Sequence, residues 1–235
     1  MKKVSYWICI FYLLFKVCIA EAHPPPSARN LFLAGRDQWI MLSMKSIENS
    51  DYRNFGLRCS LLKPTRAGGW TETNPVTEAG TDGAQFRLEA NAESWLYVLQ
   101  WDGEQWVLIL PKEGTETGGH RIHAPRSPRV VIVSGEWVQL ENEPALKPLF
   151  IVLSRLPITP LERIARGSSD SPSGKVFSGP VRKVPGLPVS HGIVNFIRSS
   201  VRIWDLLFEN TNDAFYVVNK KALTTPRIVV DIGLK

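Results

Sequence analysis

Between Phe55 and Leu156 the pattern of apolar and polar residues is that of β-strands. Ala84, Phe86, Leu88 and Ala90 are apolar, while Gln85, Arg87, Glu89 and Asn91 between them are polar. Such alternation predicts strands with one buried and one wet face. Gly56–Leu62 is the first candidate strand, and Lys63–Asp82 is a loop rich in Pro, Gly and Thr. Trp95–Trp101 and Trp106–Leu110 flank Asp102-Gly103, a pair that tolerates the positive φ angles of a hairpin turn. Pairing Trp106 with Leu99 or with Trp101 leaves side-chain parity unchanged. Trp95, Tyr97, Leu99, Trp101, Trp106, Leu108 and Leu110 are therefore expected on one face, and Leu96, Val98, Val107 and Ile109 on the other. Both faces are apolar, which predicts a central hairpin covered on both sides. Arg121–Ala124, Arg129–Val133, Trp137–Leu140 and Leu149–Leu153 are further short strands.

Outside this region the pattern changes. Leu31–Met44 is too short a run for periodicity to decide between helix and strand. Six prolines fall between Pro157 and Pro188, around the apolar-free run Gly167–Gly174. Leu161–Ala165 is a short helix candidate there, and the rest reads as a flexible linker or excursion. Ile193, Val194, Ile197 and Val201 have helical spacing. Trp204, Leu206 and Phe208 alternate as in a strand, followed by candidate strands Phe215–Val218 and Arg227–Ile232. Short strands punctuated by Gly and Pro predict an all-β protein: a β-sandwich, immunoglobulin-like or a related antiparallel two-sheet fold. One or two short helices and the long Pro/Gly/Ser-rich excursion are added to it. The expected organisation is a signal peptide over 1–22, an N-terminal arm over 23–54, the sandwich core over 55–156, the linker over 157–190, and a C-terminal helix and strands over 191–235 packing back on the core.

Composition adds the compartment. Lys2 and Lys3 precede an apolar stretch from Val4 to Ala20, and Ala20-Glu21-Ala22 fits small-x-small cleavage after Ala22. Lys16 cuts the run below the ~18 residues a membrane span needs. The chain is thus expected to be exported, periplasmic or extracellular, with membrane contact only through an uncleaved signal segment. Cleavage leaves 25 Lys and Arg against 21 Asp and Glu, a net charge of +4. That is too mild to argue for nucleic acid. Of three cysteines only Cys59 remains, so no internal disulfide is available. It reads as a small buried strand residue.

The order of motifs resembles the bacterial domain of unknown function 4384 family. The resemblance is carried by Phe55-Gly56-Leu57-Arg58, by Gly83–Asn91, by Trp95-Leu96-Tyr97-Val98-Leu99, by Leu108-Ile109-Leu110-Pro111 and by Leu149–Ser154. The tail segments Phe215–Asn219 and Arg227–Ile232 resemble it more loosely. Trp95 stands where such domains commonly carry Gly. The resemblance implies an exported accessory or recognition module and supplies no catalytic residues.

The search for chemistry points the same way. His120 and His123 are three apart, which places them on opposite faces of a strand, and they read as exposed loop residues rather than metal ligands. Gly167-Ser168-Ser169-Asp170-Ser171 only approaches a nucleophile elbow and lies in the linker. The spacing from Gly167 to Gly174-Lys175 is wrong for a phosphate loop. Glu141 and Glu143 read as a solvated turn. No catalytic, cofactor or metal residue is assigned, and no cofactor is expected. Of the eight tryptophans, Trp95, Trp101, Trp106 and Trp204 are expected in the core. Trp70 and Trp137 are the candidate exposed contacts. The expected function is non-catalytic recognition of an envelope protein, with polysaccharide binding through exposed tryptophans as the alternative.

Overall fold

The computed structural model describes residues 26–45, 54–76, 85–111, 121–122, 131–133, 149–167, 186–221 and 226–232. The signal segment, His120, His123, Trp137, Glu141, Glu143 and most of the linker lie outside these residues. Twelve strands are described: β1 (Phe55–Pro64), β2 (Trp70–Thr73), β3 (Gln85–Ala90), β4 (Ser94–Trp101), β5 (Trp106–Leu110), β6 (Arg121–Ile122), β7 (Val131–Val133), β8 (Leu149–Ser154), β9 (Leu187–Val189), β10 (Leu206–Asn210), β11 (Phe215–Asn219) and β12 (Arg227–Ile232). Three helices accompany them: α1 (Ala28–Lys45), α2 (Thr159–Ala165) and α3 (His191–Ser199).

The strands form two antiparallel sheets, as the alternation predicts. The first has the order β10-β11-β1-β3-β7, the second β12-β8-β4-β5-β9. β1 is long enough to pair with β3 on one edge and with β11 and then β2 on the other. Similarly, β4 pairs with β8 on one edge and with β5 and β6 on the other. The tail is shared between the sheets: β10 and β11 join the first, and β12 pairs with β8 in the second.

The inner faces meet in a core that includes Phe55, Leu57 and Leu61 of β1, Leu96 and Val98 of β4, Ile151 of β8, and Ile228 of β12. Each such side chain, fully buried, contributes about 1.5–3 kcal/mol. Cys59 sits in this core with no exposed surface. Burial pushes its thiol pKa up, against the smaller opposing effect of Arg58, so the group is an inert space-filler.

Each outer face is also clad. Tyr97, Leu99, Trp106, Leu108, Phe150 and Val152 of the second sheet pack against Leu161 of α2 and Val194 and Ile197 of α3. This explains why the central hairpin is apolar on both sides. On the first sheet, Ala28 and Phe32 of α1 cover Tyr216 and Val218, with Phe32 edge-on to Tyr216 at 5.7 Å. Helix α1 settles the ambiguous Leu31–Met44 segment. Ser27 caps it, accepting from the Asn30 N–H, and the Glu209 carboxylate accepts from the Arg29 N–H.

Local departures from the sequence pattern have identifiable causes. The hairpin turn pairs Trp101 with Trp106, Asp102 Oδ1 accepts from the Glu104 and Gln105 N–H groups, and Gly103 takes φ +106°. A bulge falls between Val98 and Leu99, opposite Leu108 and Leu110. It breaks parity there, so Leu110 packs toward the inner core with Ile109 instead of sharing the outer face with Leu108. The span read as linker begins with α2, which has Pro in its first turn, and ends with β9, paired to β5. Pro188 is tolerated in β9 because that strand is an edge.

Gly186 leads into β9 with no room for a side chain. A Cβ there would lie 2.4 Å from Val107 Cγ1 and 2.7 Å from the Leu108 carbonyl oxygen. Gly186→Ala is expected to push β9 off β5 and cost about 1–3 kcal/mol. Urea unfolding would register the loss, and hydrogen exchange at the Leu187 and Val189 amides would rise. Unchanged exchange at those amides would show that β9 is not held by this approach.

Candidate functional site

The densest polar cluster lies on the outer face of the first sheet. Register builds it. Arg58 of β1 is opposite Glu89 of β3 on one side and Tyr216 of β11 on the other. Ser60 is opposite Arg87, and Leu62 opposite Glu72. Alternation turns all of these away from the core. The β10–β11 turn brings Asp213 beside them. That turn is tied to the end of β2 by Asn74, whose Nδ2 donates to the Thr211 and Ala214 carbonyls at 2.9 and 3.2 Å.

Arg58 is the hub. Its Nε donates to Tyr216 Oη at 3.1 Å, and its guanidinium pairs with Glu89 at 3.4 Å, with Asp213 at 3.1 Å and with Glu72. Arg87 joins Glu72 and Glu89 from the other side. Two guanidiniums thus face three carboxylates. Burial alone would lower the Arg58 pKa; hydrogen bonds to Glu72 and Tyr216 and the charges of Glu89 and Glu72 outweigh it and hold the group cationic. The Asp213 carboxyl is held below its ordinary value, first by the Thr211 hydroxyl, with burial opposing, and then by Arg58. Ser60 Oγ is buried beneath the cluster with no hydrogen-bond partner among the described residues. It has no histidine beside it among the described residues. The cluster is chemically saturated: its carboxylates are occupied by cations, which suits holding β1, β2, β3 and the β10–β11 turn in register.

A second polar contact fastens the opposite layer. Tyr97 Oη donates to Glu162 Oε1 of α2 at 2.5 Å and accepts from the Ile158 N–H at 2.9 Å. Burial and the Glu162 hydrogen bond push the phenol pKa up, against the smaller effect of the Ile158 N–H.

Several large apolar side chains are exposed. Trp70 lies on β2, half-exposed, opposite Pro64. Trp95 and Trp101 are half-buried and Trp106 buried. Trp101 packs edge-on to Trp106 and 5.2 Å from the His191 ring. Trp204, however, does not fill the core: it is 72% exposed and its neighbour Ile203 is 68% exposed. The strand begins only at Leu206, and Ile203–Asp205 wind as a single 3₁₀ turn. The winding carries Asp205 inward, where it is buried, and Trp204 outward. Phe208 is also exposed, stacked on Phe215 at 6.0 Å on β10. No described strand pairs with the outer edge of β10. Among the described residues, no group of three or more His, Cys, Asp and Glu could hold a metal ion.

Fold and surface together define a class: an antiparallel β-sandwich clad by helices on both outer faces. Comparison with family models, with curated proteins and with solved structures finds no match.

Proposed function

We propose that the chain is a non-catalytic, exported accessory or recognition module of the bacterial envelope, working by protein–protein interaction. The supporting observation is the outer edge of β10, which no described strand pairs, with the Phe208–Phe215 aromatic pair beside it. An open strand offers N–H and C=O groups to an extended segment of a partner, and an exposed aromatic ring supplies an anchor. The partner adds a strand to the first sheet and seats an apolar side chain against Phe208. The resemblance to the domain of unknown function 4384 family favours the same kind of role.

The test is cross-linked co-purification of the tagged chain from its own envelope fraction, run beside Phe208→Lys. A stoichiometric protein recovered with the parent chain and lost at least tenfold with Phe208→Lys is expected, the size of loss typical of an aromatic anchor. Equal recovery with both forms would remove β10 as the binding edge. A polysaccharide-binding reading is supported by the half-exposed Trp70 ring on β2, a single stacking surface and so the weaker of the two.

A further inference from the structure

The turn between α3 and β10 inverts the usual order of folding. Asp205 is buried while Ile203 and Trp204, its immediate predecessors, are the two most exposed large apolar residues described. The inversion is locked in place. The Lys220 N–H donates to the Asp205 carbonyl at 3.1 Å, and Lys221 Nζ pairs with the Asp205 carboxylate at 3.2 Å. Those contacts fix Lys220 and Lys221, which follow β11, beside the turn. They also neutralise the acid next to the apolar pair. Arg202 and Lys220 are exposed and make no ion pair among the described residues, so the surface around Ile203 and Trp204 is positive. Leu156, also exposed, lies at the same end of the sandwich, where the Arg155 N–H donates to the Pro226 carbonyl.

We propose that this end of the sandwich docks on an anionic lipid surface. Ile203 and Trp204 enter the interfacial layer, and Arg202 and Lys220 face headgroup phosphates. The chemistry selects a bilayer over a protein partner. Tryptophan is enriched at the membrane–water interface, where its apolar body and N–H are both satisfied. Lysine is depleted from protein–protein interfaces, whereas each Lys or Arg near an anionic bilayer strengthens binding. No described helix is long and apolar enough to cross a membrane. This docking departs from the expectation that lipid is met only through an uncleaved signal segment.

The test uses the full chain with vesicles of phosphatidylglycerol and phosphatidylcholine carrying brominated acyl chains. Subtracting the emission of Trp204→Phe isolates the signal of Trp204 from that of the other tryptophans. The readout is local, so insertion of the apolar Val4–Ala20 stretch does not produce it. The Trp204 signal is expected to be quenched on anionic vesicles and recovered on pure phosphatidylcholine or in high salt. Arg202→Glu and Lys220→Glu should each weaken the interaction about fivefold or more. Ile203→Ser, which keeps every charge, should weaken it about tenfold. A Trp204 signal left unquenched while the chain sediments with the vesicles overturns the proposal. So does a Trp204 response to soluble polyglutamate as large as that to vesicles, which would assign the surface to an acidic protein partner.

Discussion

Replacing Arg58 by Met is expected to remove about 3–5 kcal/mol of stability at neutral pH, the cost of stripping one partner from a buried charge network. The loss should be this large because Arg58 meets all three carboxylates, Glu72, Glu89 and Asp213, while Arg87 meets only Glu72 and Glu89. Glu89 is buried, and Arg87 alone cannot neutralise the set. The pH dependence fixes the interpretation. Asp213 is held below its ordinary value in the folded chain. Its contribution is therefore complete above the unfolded carboxyl value of about 4 and is lost as pH falls through the lower folded value. The variant has already lost the Arg58 share of that contribution. The gap between parent and variant should narrow as pH falls from 7 toward about 3. Urea midpoints measured across that range would show it. A gap that stays constant or widens would mean that Arg58 stabilises by packing rather than by charge.

Tyr97→Phe should cost about 2–3 kcal/mol, although it removes a single oxygen. That oxygen donates to Glu162 and accepts from the Ile158 amide, at the point where the chain leaves β8 and enters α2. Without it a buried carboxylate and a buried N–H each lose a partner. The double variant Tyr97→Phe, Glu162→Leu should recover part of the loss, because an apolar pair leaves fewer stranded groups. Differential scanning calorimetry of the single and double variants tests this. A double variant less stable than Tyr97→Phe alone would show that Glu162 is held mainly by other contacts.

The strands were legible in the sequence where one face is wet, as in Gln85–Ala90, and where a turn residue fixes the hairpin, as at Asp102-Gly103. The two-sheet class followed from them. Three features were not legible, each for its own reason. The bulge opposite Leu110 depends on how β4 and β5 slide, which alternation within either strand does not record. Trp204 fits a strand pattern with Leu206 and Phe208, and only the 3₁₀ winding that buries Asp205 turns it outward. The Arg58 cluster joins β1 to a turn 155 residues later, so no local window contains it. A signal was nevertheless present: Arg58, Arg87 and Glu89 are charges on the outward positions of strands that are otherwise apolar. Charged residues on such positions point to a face covered by ion pairs.

The sharing of the tail between the two sheets sets an order in time as well as in space. β1 waits for β11, and β8 waits for β12, so during synthesis each strand has an open edge until its partner in the tail emerges. At roughly 5–20 residues per second, β1 spends on the order of ten to thirty seconds without its β11 partner. Neither sheet can close early, and pairings over so long a separation form slowly. A nascent chain of this design stays unfolded for longer than one whose sheets are built from neighbouring hairpins, a delay that suits the export proposed above.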